Sequence, residues 1–207
     1  MSVWIIYSIG FLAQLLYSAR TLLQWIISEK NKKVITPSLF WKISLGGSFL
    51  MFIYGFLRDD FAIMFGQCLT YYIYIRNLQL QGEWKFFPKS LRFILWVFPL
   101  LILGVGYSQT NYEVDTLFNK ENIALWLLLL GTVAQIIFTF RFIYQWIYSE
   151  RKKESSLPLG FWVLSLTGST LILVYGFFRA DPVLIAGHLF GAIVYIRNII
   201  LGYNERK

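Results

Sequence analysis

The chain is written twice. Residues 10–80 slide onto 131–201 by a constant shift of 121 positions, without a gap, and about two positions in five are identical. Gly10 meets Gly131, Gln14 meets Gln135, Arg20 meets Arg141, and Gln24-Trp25-Ile26 meets Gln145-Trp146-Ile147. Further on, Pro37 meets Pro158, Phe40-Trp41 meets Phe161-Trp162, Tyr54-Gly55-Phe56 meets Tyr175-Gly176-Phe177, and Tyr74-Ile75-Arg76-Asn77 meets Tyr195-Ile196-Arg197-Asn198. Polar residues, glycines and aromatics are kept while the aliphatic filler drifts. That pattern predicts two copies of one three-helix unit, with the shared polar positions as the first place to look for function.

The setting is a membrane. Hydrophobic residues make up 57% of the chain and charged residues only 14%, where soluble domains carry about a quarter charged. Seven apolar stretches, about 3–27, 38–57, 61–80, 91–107, 122–148, 159–178 and 182–202, approach the roughly 17–25 residues a helix needs to span a bilayer. Three belong to each copy and the fourth to neither. The expected architecture is an all-α membrane protein of seven transmembrane helices: two parallel three-helix repeats joined by a linker helix, in a 3+1+3 order. Residues 1–80 form the first repeat, 81–121 the linker with the fourth helix and an external loop, and 122–207 the second repeat.

The net charge of +8 invites a nucleic-acid reading, but its placement argues against one. With seven spans, 13 Lys and Arg fall on one side and 3 on the other, leaving Arg20, Lys42 and Arg141 inside spans. Such a split places the basic side in the cytoplasm. The amino terminus is then outside and the carboxyl terminus cytoplasmic. An even number of spans would scramble the separation. The first apolar stretch lacks a basic leader and carries the repeat pattern from Gly10, so it is expected to stay as a permanent helix.

Arg20 and Arg141 lie at the same depth, six or seven residues from the cytoplasmic ends of their helices. A charge there costs at least ~2.5 kcal/mol on insertion scales unless it is compensated. Gln24 and Gln145 follow four residues later on the same helix faces, and Gln14 and Gln135 lie deeper. These pairs are expected to bind substrate, lining a polar cavity between the repeats that opens to the cytoplasm and holds an anionic group. The bland alternative is that the arginines snorkel or pair with neighbouring helices. Trp25 and Trp146 sit at the boundary, as interfacial anchors or as part of the same substrate-binding surface.

Ser44, Gly47, Ser48 and Gly55, matched by Ser165, Gly168, Ser169 and Gly176, form a small-residue seam for close helix packing. Lys42 has Val163 as its counterpart and is expected only to snorkel. In the third helices, Gln67 and His188 (the one histidine) are counterparts, followed by Tyr74 and Tyr195 and by the terminal pairs Arg76-Asn77 and Arg197-Asn198. All eight join the substrate-binding set. His188 is either a hydrogen-bonded interhelical residue or a proton-relay group. Arg58 and Asp60, with Arg179 and Asp181, form either an external gate or local structural bridges. One cysteine and one histidine offer no metal site. No catalytic, nucleotide-binding or metal-hydrolysis motif appears, so no cofactor is expected and enzymatic activity is left open, with no positive sign of it.

The blocks Arg141-Phe142-Ile143-Tyr144-Gln145-Trp146, Ser149-Glu150-Arg151, Pro158-Leu159-Gly160-Phe161-Trp162, Tyr175-Gly176 and Tyr195-Ile196-Arg197-Asn198 resemble the lipid-A-disaccharide synthase N-terminal domain family. The first copy carries the signature more loosely, and the linker helix stands outside it. That family is similar in architecture to PQ-loop and SWEET proteins, although Gln-Trp stands here where those have Pro-Gln. The resemblance implies a bacterial inner-membrane protein whose partners are a membrane lipid or lipid-linked sugar and a glycosyltransferase, the enzyme to which the family is fused in some bacteria. Two functions are expected. One is translocation of a polar or lipid-linked substrate between the repeats, which the parallel duplication and the paired intramembrane polar residues suggest. The other is a non-transporting module that assists a separate glycosyltransferase in lipid A or lipid-linked glycan synthesis, which the resemblance and the basic cytoplasmic loops suggest.

Overall fold

The computed structural model describes residues 3–57, 61–109, 124–180 and 182–205. Among them are seven α-helices, one 3-10 turn and no strand. The helices are α1 (Val3–Asn31), α2 (Ser38–Leu57), α3 (Phe61–Leu80), α4 (Lys89–Gln109), α5 (Leu125–Lys152), α6 (Leu159–Phe178) and α7 (Pro182–Asn204). Each expected apolar stretch is a helix. Four of them, α1, α2, α5 and α6, are long and apolar enough to cross a membrane. Helices α3, α4 and α7 have comparable lengths of 20, 21 and 23 residues.

Helix ends repeat between the copies. α1 and α5 run past their apolar stretches into charged residues and stop at Lys32 and Lys153, which lie 121 positions apart and both adopt left-handed backbone, φ 54° and 55°. The side chain of a preceding serine then closes each loop. Ser28 Oγ accepts from the Ile35 N–H at 3.0 Å, and Ser149 Oγ from the Ser156 N–H at 3.2 Å. Pro37 and Pro158 stand just before α2 and α6, where their carbonyls take the first helical bonds, from Phe40 and Phe161. A proline at a helix start sacrifices no bond, since that N–H would lack an intrahelical partner anyway.

The chain divides into two compact units. The first comprises Met1–Gln24, Pro37–Tyr112 and Lys153–Ser155; the second comprises Trp25–Thr36, Glu113–Lys152 and Ser156–Lys207. In the first unit, Trp41, Phe52, Tyr71 and Tyr74 are almost wholly buried. Helix α4 docks through Phe98, whose ring lies 4.3 Å from Phe49 and 5.8 Å from Phe52. Lys42 pairs with Glu83 at 2.6 Å rather than merely snorkelling.

The small-residue seams are buried and do what that spacing predicts. A Cβ on Gly47 would stand 3.0 Å from the Tyr17 ring, bringing α1 and α2 together. In the second unit a Cβ on Gly168 would meet the Phe138 backbone at 2.9 Å, so α5 and α6 touch main chain to main chain. Where apolar burial gives little drive between helices, such close approach supplies the packing. Aromatic geometry is also repeated. Trp41 and Tyr74 rings lie 6.0 Å apart and Trp162 and Tyr195 rings 6.2 Å, both tilted by 37°.

Candidate functional site

In the first unit Arg20 is buried. Its Nη1 donates to Ser44 Oγ at 2.7 Å, and its guanidinium carbon lies 4.5 Å from the Tyr17 ring, 5.2 Å from Phe40 and 5.3 Å from Tyr74. Three helices thus supply a hydroxyl and three aromatic faces. Negative ring faces attract a desolvated cation, which offsets part of the cost of burying it. Beside it, Gln67 Oε1 accepts from Tyr17 Oη at 2.8 Å and from Ser48 Oγ at 2.9 Å.

The second unit repeats the theme with substitutions. Arg141 lies 3.4 Å from the Phe138 ring, with Phe142, Phe161 and Tyr195 at 4.8–5.8 Å, and donates to Tyr195 Oη at 3.3 Å. Phe138 stands where the first copy has Tyr17, and His188 where it has Gln67. The two changes go together. Without the tyrosine hydroxyl, His188 packs its ring against Phe138 at 5.1 Å and places Nδ1 3.1 Å from Ser169 Oγ. Arg20 with Tyr74, and Arg141 with Tyr195 and His188, are therefore brought together, each set inside its own unit.

One turn further on, Gln24 and Gln145 are completely buried. Gln145 Nε2 donates to Ser149 Oγ at 2.9 Å and to the Ser156 carbonyl at 3.0 Å, fixing the loop after α5. Asn77 and Asn198 are also fully buried, and their amides donate to the Ile73 and Val194 carbonyls. Asn77 Oδ1 additionally accepts from Ser155 Oγ at 2.7 Å. Trp25 is half-buried and Trp146 exposed. Arg76 donates to Gln79 at 3.1 Å.

Arg197 holds Glu29 through two bonds of 2.6 Å, and Lys32 joins at 2.9 Å. Glu29 lies beyond the apolar stretch of its helix. These donors, Arg197 first, hold its carboxyl well below the usual range, to about 2. At the other helix ends, Arg179 is exposed. Arg58, Asp60 and Asp181 lie outside the described residues.

Gln14 and Gln135 differ from the other polar pairs in being exposed. Gln135 lines an open cleft of about 380 Å³ together with Leu128, Gly131, Thr132, Ile136, Ile172 and Tyr175. Its floor depends on glycine. A Cβ on Gly131 would stand 2.8 Å from the Tyr175 ring, and one on Gly10 would stand 2.9 Å from Tyr54. Both glycine–tyrosine pairs are duplicated in the sequence, a signal for this feature that the polar residues alone did not give. No group of three or more His, Cys, Asp or Glu side chains able to hold a metal occurs among the described residues.

A family model described as the lipid A biosynthesis N-terminal domain matches the chain twice, at residues 9–79 and 130–200. The two matches are 121 positions apart, the shift of the internal repeat. Curated relatives include proteins named lipid-A-disaccharide synthase from Chlamydia pneumoniae, 30% identical, and Chlamydia felis, 29% identical, each over 99% of this chain. A third, of the same name and from Chlamydia abortus, is 28% identical over 98% of the chain. The chain spans about a third of the length of these relatives, 34–35%. No solved structure matches it.

Proposed function

Since the chain belongs to the lipid A biosynthesis N-terminal domain family, we propose that it is a bacterial inner-membrane protein that binds a lipid-linked substrate of the lipid A or a polyprenyl-phosphate glycan pathway and moves it across the bilayer. The observation that carries this reading is the double match of one family model, coinciding with two copies of the same buried cation in an aromatic surround. Two equivalent polar units in one chain are what carriers built from parallel repeats use. Seven spans in the 3+1+3 order of SWEET-like proteins complete the proposal. The substrate-binding set is Arg20, Gln24, Arg141, Gln145 and their neighbours, with Gln14 and Gln135 towards the outer side.

A second reading is favoured by the relatives. In proteins named lipid-A-disaccharide synthase, the matching part is about a third of the chain. Such a part would hold the lipid-linked substrate for a glycosyltransferase without moving it.

Reconstitution separates the two. In liposomes holding a fluorescent lipid-linked sugar, translocation exposes inner-leaflet probe to an added quencher faster than in protein-free vesicles. If the probe binds but stays in its leaflet, the carrier reading falls and the assisting one stands. Reporter fusions test the topology. One placed at Lys207 is expected in the cytoplasm and one within residues 108–121 outside; the same compartment for both refutes seven spans.

A further inference from the structure

We infer that the cleft on the second repeat, floored by Gly131 and Tyr175 and edged by Leu128, Thr132 and Gln135, takes the uncharged, hydroxyl- or amide-bearing part of a sugar lipid. The inference rests on the proposed lipid-binding function and adds where on the chain the ligand sits and what part of it is recognised.

The lining sets the chemistry. Thr132, Gln135 and Tyr175 offer a hydroxyl, an amide and a phenol, which both donate and accept. The other side chains, Leu128, Ile136 and Ile172, are apolar, and none of the lining carries a formal charge at neutral pH. A phosphate here would lose water without gaining a cation, a large cost in apolar surroundings. A sugar hydroxyl or an acyl amide would be matched group for group. The cleft's volume, about 380 Å³, lies within the ~300–1,000 Å³ of small-molecule sites.

The surroundings point the same way. Gln135 is exposed on a helix whose neighbouring side chains Leu129, Val133, Ile136 and Phe140 are also exposed and apolar. No hydrogen bond joins the Gln135 side chain to another described residue. An amide on a lipid-facing surface costs free energy unless something satisfies it. A lipid whose chain lies along Leu128 and Ile136 and whose first polar groups reach Gln135 and Thr132 would do so.

The divergence between the copies isolates the space. Gly131, Gln135 and Tyr175 are unchanged from Gly10, Gln14 and Tyr54, so the glycine–tyrosine floor belongs to both repeats. Leu128 and Thr132, however, replace Tyr7 and Phe11. The second repeat therefore has smaller, non-aromatic side chains at the positions where the first has large rings.

The same comparison supplies the test. The full chain in phosphatidylcholine nanodiscs is titrated with a tritiated dodecyl N-acetylglucosaminide, which is uncharged, with dodecyl phosphate as competitor. The variant Leu128→Tyr/Thr132→Phe, which installs the first repeat's side chains, is expected to bind about tenfold more weakly or worse, with helix content and melting unchanged. Gln135→Leu, which keeps the bulk and removes the amide, is expected to weaken binding about three- to tenfold. Dodecyl phosphate is expected not to displace the glycoside. Unchanged binding in both variants overturns the cleft assignment while the lipid-binding function stands. Displacement by dodecyl phosphate overturns the uncharged specificity. A wild-type chain that binds no glycoside overturns the inference, and one that binds neither probe overturns the lipid-binding function with it.

Discussion

Arg197 grips Glu29 with two hydrogen bonds of 2.6 Å, Nε to Oε2 and Nη2 to Oε1, across 168 residues of sequence. Glu29 belongs to the first copy of the repeat and Arg197 to the second, yet both lie in the second compact unit. The Val34 N–H adds a 2.8 Å bond to Glu205 in the same unit. The end of the first helix and the loop after it are therefore fastened to the last helix. Two-pronged arginine–carboxylate bonding fixes orientation as well as charge.

The first prediction concerns that pair. Glu29→Gln is expected to lower the melting temperature of the detergent-solubilised protein, and Arg197→Lys to do so by less, since one of two bonds survives. Both side chains are about a third exposed, so the effect should shrink in high salt. The pH dependence follows from the lowered carboxyl pKa. A carboxyl held down to about 2 in the folded state contributes stability that is present above its unfolded pKa and lost only as pH falls towards 2. The melting difference between wild type and Glu29→Gln should thus be the same at pH 6 and pH 8 and narrow below about pH 4.

The second prediction concerns the buried cations. Arg20→Gln removes three aromatic contacts and the bond to Ser44, and should cost about 2–4 kcal/mol of stability. Arg141→Gln should cost a similar amount. Arg20→Lys should recover only part of the loss, because an ammonium lacks the flat face that stacks on rings. Chemical unfolding in mixed micelles measures all three. Stability unchanged in Arg20→Gln would refute a structural contribution from the aromatic surround.

The third prediction contrasts two glycines. Gly168→Ala drives a methyl into the Phe138 backbone, which cannot yield cheaply, and should destabilise by about 1–3 kcal/mol. Gly187→Ala meets nothing within 4 Å among the described residues and should be neutral or stabilising by up to about 1 kcal/mol. Melting temperatures of the two variants decide it. Equal losses would mean that the main-chain contact between α5 and α6 is not what requires glycine at position 168.

Much of this was legible in the sequence because the duplication filters it. Residues kept in both copies, such as Arg20, Phe40, Trp41, Ser44 and Tyr74, assemble around one point, and Arg141, Phe161, Trp162 and Tyr195 do so again. Helix limits were legible too, since apolar stretches end where lysines and prolines begin. The aromatic surround was not foreseen. Tyr17 and Phe138 differ between copies, and the distances between helices leave no mark in a linear pattern. The exchange that puts Glu29 with Arg197 carries no local signal at all. The cleft was hidden for the opposite reason: its information lies at Leu128 and Thr132, where the copies disagree.

The most direct measurement of the central claim is the lipid content of the protein itself. Full-length protein is purified in mild detergent from a lipid A-producing bacterium and its extracted lipids are quantified by mass spectrometry. A lipid-linked sugar enriched to near one per chain over the parent membrane, and depleted in Leu128→Tyr/Thr132→Phe, is the predicted result. Only bulk phospholipids, in the proportions of that membrane, would contradict the account.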